Sequence, residues 1–209
     1  MADSIFTSTA PYHIIAYGTL LGTEFFQTWI GGIVSYRALP RAQFSSLQQA
    51  LFPVYFSIQS ALPVVLALTY PGERSPLGAG AVSPSGLSGF MAEKNRMNVL
   101  LPIVTIFATS ILNLAYVGPA TTKIMKDRKH QGMLIINNRD GVCHRKAPLI
   151  ETLETRDGKK SYDPAPHSKE MMKLNKAFGR MHGVSSLLNM VGFCTTVFYG
   201  FFTLGGRLQ

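Results

Sequence analysis

Hydrophobic residues along this chain fall into four long runs separated by polar stretches of unequal length. The runs cover about residues 12–34, 50–70, 97–118 and 183–205. The first holds one formal charge, Glu24, and the other three hold no Asp, Glu, Lys or Arg. A helix rising about 1.5 Å per residue needs roughly 20 residues to cross a hydrocarbon core about 30 Å thick. Each run meets that length. Lipid offers no hydrogen bonds to the backbone, so only helices or closed barrels cross it, and the short alternating segments of barrel strands are absent. The pattern therefore predicts an all-α, polytopic integral membrane protein: a four-helix transmembrane bundle with a long basic third connection. Pro53, Pro63 and Pro102 lie within or near the starts of the runs, where neighbouring helices and local polar groups can compensate for them.

The connections differ in kind. Residues 71–96 are rich in Gly, Pro and Ser and read as a flexible loop. In the polar connection 119–182, Thr121 to Gln131 continues the third helix, and Ser168 to His182 forms an amphipathic lead-in to the fourth. Between them, LIINNRDGVC has the apolar–turn–apolar pattern of a small hairpin and DGKKSYDPAPH reads as coil.

Composition supports the blocks. Only 15% of the 209 residues are charged, against about 25% in soluble domains. Disorder of most of the chain is excluded, because hydrophobic residues reach 46%. Two cysteines exclude a disulfide scaffold or an all-cysteine zinc site, and the adjacency of Cys143 and His144 is poor ligand spacing. The net charge of +9 comes from residues outside the runs, so attraction to anionic lipid headgroups explains it more simply than nucleic acid does. The four polar segments after each run hold two, three, 14 and one Lys or Arg in order. The positive-inside tendency then places the first and third connections in the cytosol and both termini outside. MADSIFTSTAP lacks the basic n-region of a cleaved signal and the arginines of a presequence. The endoplasmic reticulum, secretory pathway or plasma membrane is expected rather than mitochondria.

Polar residues inside the runs carry the candidate chemistry. At about 100° per residue, His13, Tyr17, Leu20, Glu24, Gln27 and Gly31 share a helix face. A lipid-facing carboxylate costs about 2.5–3.5 kcal/mol on insertion scales, so Glu24 must face protein or water. It is either a proton-linked or cation-binding position, or a protonated group bonded between helices. Glu24, Gln27, Thr28, Gln59, Asn113 and Asn189 form the candidate intramembrane polar site. Ser185, Asn189, Gly192, Thr196 and Gly200 make a small and polar stripe on the fourth run; Thr105, Thr109 and Asn113 make another on the third. Such stripes let helices approach closely. Gly18 and Gly22 form a small pair on a different face of the first run. No nucleophile with an identifiable base is evident, and no catalytic residue, metal site or cofactor is expected.

Three blocks resemble the transmembrane protein 205 family: Arg37-Ala-Leu-Pro-Arg41 with Phe44, Gln48 and Leu51 to Phe56; Asn113 with Gly118-Pro-Ala-Thr-Thr122 and Met125; and Phe178 to Asn189. The resemblance implies a small four-helix membrane protein linked with secretory vesicles, the cell surface and resistance to platinum drugs. The matched residues gather at the expected cytosolic face. Arg37, Pro40, Arg41, Gln48, Thr121, Thr122, Arg180 and His182 form a candidate cluster there, its arginines and His182 set around an anionic headgroup or a partner. Phe44, Phe52, Tyr55 and Phe56 are expected at interfacial depth.

The leading expectation is a non-enzymatic membrane protein acting in trafficking or as an accessory subunit, with 119–182 as its contact surface for a protein partner. The alternative is a small transporter or a lipid- or sterol-type binder with a cavity near Glu24.

Overall fold

The computed structural model describes residues 8–74, 81–140 and 169–207. Four long rods dominate them. The first joins α-helix Ala10–Phe25, a π-helical turn Phe26–Gly31 and α-helix Gly32–Ala38 without a break. Leu39 is extended, and Pro40, with its φ preset near −54°, caps the second rod, Arg41–Leu68. The third runs from Glu93 beyond His130 to Asp140, and the fourth from Lys169 to Leu204. The last three are long and apolar enough to cross a membrane, with mean hydropathies of 1.8, 1.9 and 1.5. The first, whose inner face carries His13 and Glu24, is not among them. This is the all-helical architecture of a multi-pass membrane protein.

Large apolar side chains point outward, Phe201 at 76% exposed and Leu187 at 66%, as lipid-facing helices require. Inside, the second rod packs along the third and the third along the fourth, while the first leans on the second and fourth. The largest apolar core lies toward the chain termini. There Ala16 and Leu20 of the first rod meet Leu66, Ala67 and Tyr70, then Val99, Ile103 and Ile106, and finally Tyr199.

Two departures from the sequence reading concern the connections. Residues 71–96 carry an antiparallel pair, Glu73–Arg74 with Ala81–Ser83, and a short helix, Leu87–Phe90, that buries Phe90 in the core. The amide of Asn95 donates to the Gly89 carbonyl at 2.7 Å and ties this helix to the third rod. Gly89 is required at that contact, because a Cβ there would overlap the Pro84 carbonyl. In the third connection, Leu134 to Asp140 of the segment expected as a hairpin are helical, while Gly141 to Cys143 lie outside the described residues. Extending an existing helix by one residue is far easier than nucleating a new structure. Cys143, His144 and the rest of 141–168 lie outside the described residues.

Pro63, inside the second rod, shows how the proline problem is solved. It has no N–H for the carbonyl of Gln59. The hydroxyl of Ser110 on the third rod lies 3.2 Å from that carbonyl and shares its hydrogen with its own helix.

Candidate functional site

The four rods converge on Glu24. At about 1.5 Å per residue it stands about 20 Å from either end of the first rod, and its side chain is fully buried. The face proposed from the sequence is the inner one: His13, Leu20, Glu24 and Gly31 are buried, with Tyr17, Gln27 and Thr28 half-buried. The second rod sends in Gln59, whose Nε2 donates to Glu24 Oε1 at 3.0 Å and approaches Asn189 Oδ1 at 3.3 Å. Asn189, on the fourth rod, donates through Nδ2 to Thr28 Oγ1 at 2.9 Å. Tyr55 donates its hydroxyl to Asn189 Oδ1 at 2.7 Å. The chain Tyr55–Asn189–Gln59–Glu24, with Thr28 attached, links three rods through side chains alone.

The third rod arrives through Thr109, beside Gly192 of the fourth. A Cβ added to Gly192 would stand 3.2 Å from Thr109 Oγ1 and 3.7 Å from Glu24 Oε1. The glycine therefore leaves the notch that the carboxyl and the hydroxyl occupy. Thr196, one turn further along, also lies against the carboxyl. Oε2 of Glu24 has no hydrogen-bond partner among the described residues.

Of the six residues expected in the intramembrane site, Glu24, Thr28, Gln59 and Asn189 come together. Gln27 turns aside and donates to Gln48 Oε1 at 3.4 Å. Asn113 is buried lower between the third and fourth rods, where its Nδ2 donates to the Ser185 carbonyl at 3.3 Å and its Oδ1 has no partner among the described residues. Tyr55 and Phe56, expected at interfacial depth, instead face the bundle at 6% and 4% exposure. Tyr55 thereby joins the site, and nothing in its aromatic neighbourhood in sequence marks it as inward. The register of a helix that begins at Arg41 decides it.

At the basic end the expected cluster takes the form of local stacks. Arg41 donates to the Tyr36 hydroxyl and lies 4.3 Å from the centre of the Tyr36 ring, which meets Phe44 edge-on at 5.5 Å. His182 stacks parallel on Phe178 at 5.6 Å, and Arg128 covers the same ring at 4.6 Å. Arg37, Pro40, Arg180 and His182 are exposed, Gln48 is buried, and Thr121 bonds back to the Val117 carbonyl at 2.7 Å, with Thr122 half-buried beside it. Arg128 and Tyr36 are members that the expected cluster did not include.

A second buried polar group lies toward the chain termini. His13 is fully buried, with Nε2 at 2.7 Å from the Tyr199 hydroxyl and Nδ1 at 3.3 Å from Thr69 Oγ1. Tyr17 leans on Tyr199 with ring centres 6.1 Å apart, and its hydroxyl fills the space that a Cβ on Gly200 would take.

Residues 15–130, more than half of the chain, match a family described as a domain of unknown function, DUF4149. The chain belongs to the DUF4149 family. The matched region contains most of the first three rods, hence Glu24, Thr28, Gln59 and Thr109, whereas Asn189, Gly192 and Thr196 lie beyond it. A relative from Aspergillus fumigatus, named xanthocillin biosynthesis cluster protein D, is 28% identical over 198 residues, covering 95% of this chain and 90% of its own length. No solved structure matches the chain.

Proposed function

We propose that this DUF4149 protein is a non-enzymatic integral membrane protein of the secretory pathway, working as an accessory subunit or trafficking factor through its basic third connection. The observation that carries this reading is the interior of the bundle. Most of its central polar atoms are spent on one another, Tyr55 and Gln59 on Asn189, and Gln59 on Glu24, with Glu24 Oε2 left over. Such a core suits a scaffold more than an open passage. The charge distribution supports the same reading: 14 of 20 Lys and Arg lie in 119–182, the segment that the positive-inside tendency assigns to the cytosol. Arg41, Arg128 and the exposed Arg180 then line the cytosolic membrane face, where anionic headgroups and an acidic partner surface are the natural counterparts. The resemblance of Arg37 to Arg41 and Phe178 to Asn189 to the transmembrane protein 205 family favours secretory membranes. The Aspergillus relative is named as one member of a biosynthesis cluster, which fits a protein that works beside others.

The test is cross-linking and purification from native membranes in mild detergent, comparing the full chain with a deletion of 132–167. The deletion should insert normally and lose the cross-linked partner. Equal recovery of the same partner by both forms would remove the docking role.

A further inference from the structure

Glu24 has no task in a docking role, and elementary electrostatics limits what it can do. It is fully buried about midway along its rod, and no cation pairs with it among the described residues. A bare carboxylate in such a medium is far too costly to keep, so a positive charge has to accompany it. Oε1 accepts from Gln59, and Oε2 has no partner among the described residues. The groups around the Gly192 notch are oxygens. Thr109 gives its hydrogen to the Ile106 carbonyl at 3.0 Å, and Thr196 gives its own to the Gly192 carbonyl at 3.1 Å. Thr196, which lies against the carboxyl, can turn its hydrogen to it instead of to the Gly192 carbonyl. One neutral hydroxyl and one amide do not offset the cost of a buried anion, whereas a proton on the carboxyl does.

We propose that Glu24 is an intramembrane proton-binding site, in which Oε2, the carboxyl oxygen without a partner among the described residues, carries the proton. A calcium or magnesium ion is a poor fit, because it takes about six or more oxygens and the described residues offer here only the carboxyl and two hydroxyls. The other titratable groups facing the site are Tyr17 on the same rod and Tyr55 on the second. A phenol is neutral or, once ionised, negative, so neither can supply the positive charge. Binding takes one proton from water onto the carboxylate, and release returns it. The anion left behind must draw in water or a cation, which parts the helices that meet at Gly192. The proton thus acts as the fastener of the four-rod junction.

Infrared spectroscopy of the full chain in lipid nanodiscs at pH 7 tests this. Exposed carboxyls are ionised at that pH, so the carbonyl band of a neutral acid reports a buried one. One acid carbonyl per chain is expected, absent from Glu24→Gln and shifted in frequency by Thr196→Val or Thr109→Val. If Glu24→Gln does not fold, the wild-type band and its shift in the threonine variants still decide. A spectrum without the band overturns the proposal. So does a band that disappears on adding sodium chloride at fixed pH, which would make this a metal-cation site, or one that neither threonine variant moves. Partner capture is a separate readout, so the docking role and the proton site can fail independently.

Discussion

The bundle buries two ionisable side chains on one face of its first rod, and they are treated in opposite ways. His13 has both ring nitrogens partnered, by Tyr199 and Thr69. Glu24 has one oxygen partnered by Gln59 and one without a partner among the described residues, with the Thr196 hydroxyl against the carboxyl. A neutral imidazole offers one donor and one acceptor, and a phenol and a hydroxyl satisfy both. The first arrangement is complete and belongs to the architecture. The second is complete only with one more atom. Burial alone is therefore a poor guide to function, and the count of donors against acceptors separates a structural polar group from a binding one.

The sharpest way to break the comparison is to remove the structural member. His13→Ala leaves a cavity and takes one hydrogen-bond partner from the Tyr199 hydroxyl, so it should cost about 3 kcal/mol. Thermal unfolding in detergent at pH 8 should show this loss. Gln59→Leu removes the donor of Glu24 Oε1 and one approach to Asn189, and about 1–2 kcal/mol of stability should go with it. Gly192→Ala forces a methyl into the notch, 3.2 Å from Thr109 Oγ1, and should cost about 1 kcal/mol by the same assay. Glu24→Gln keeps the shape and loses the exchangeable acid proton, so its stability at neutral pH should stay within about 1 kcal/mol of the wild type. A collapse of that variant would mean Glu24 is structural in the same sense as His13. The smallest effect belongs to the basic end: Arg128→Gln should cost about 0.5 kcal/mol in the same melts, through the lost contact with Phe178.

Much of this was legible in the chain. The apolar runs and the inner face of the first rod come from length and period, since a 3.6-residue repeat puts His13, Leu20 and Glu24 in line whatever surrounds them. Four of the six expected intramembrane residues meet, because polar groups in lipid have nowhere else to go. Gln27 and Asn113 do not join them. Gln27 lies in the π-helical turn Phe26–Gly31, which takes about one extra residue per turn and rotates the helix beyond it. Asn113 opens a second such turn, Asn113–Val117, and is spent on the Ser185 carbonyl. Neither turn has a sequence signature. The inward Tyr55 and the cover that Ser110 gives to Gln59 depend on which rods are neighbours.

Hydrophobic length and helical period are properties of a few adjacent residues, so the sequence by itself determined that there are four rods, which side of the first faces inward, and that Glu24 must be hidden. Which atoms hide it is a matter of contacts between residues as distant as Glu24, Gln59, Thr109 and Gly192. Only the tertiary structure decided that, because a hydrogen bond has to be satisfied at about 3 Å and no local pattern fixes the distance between rods.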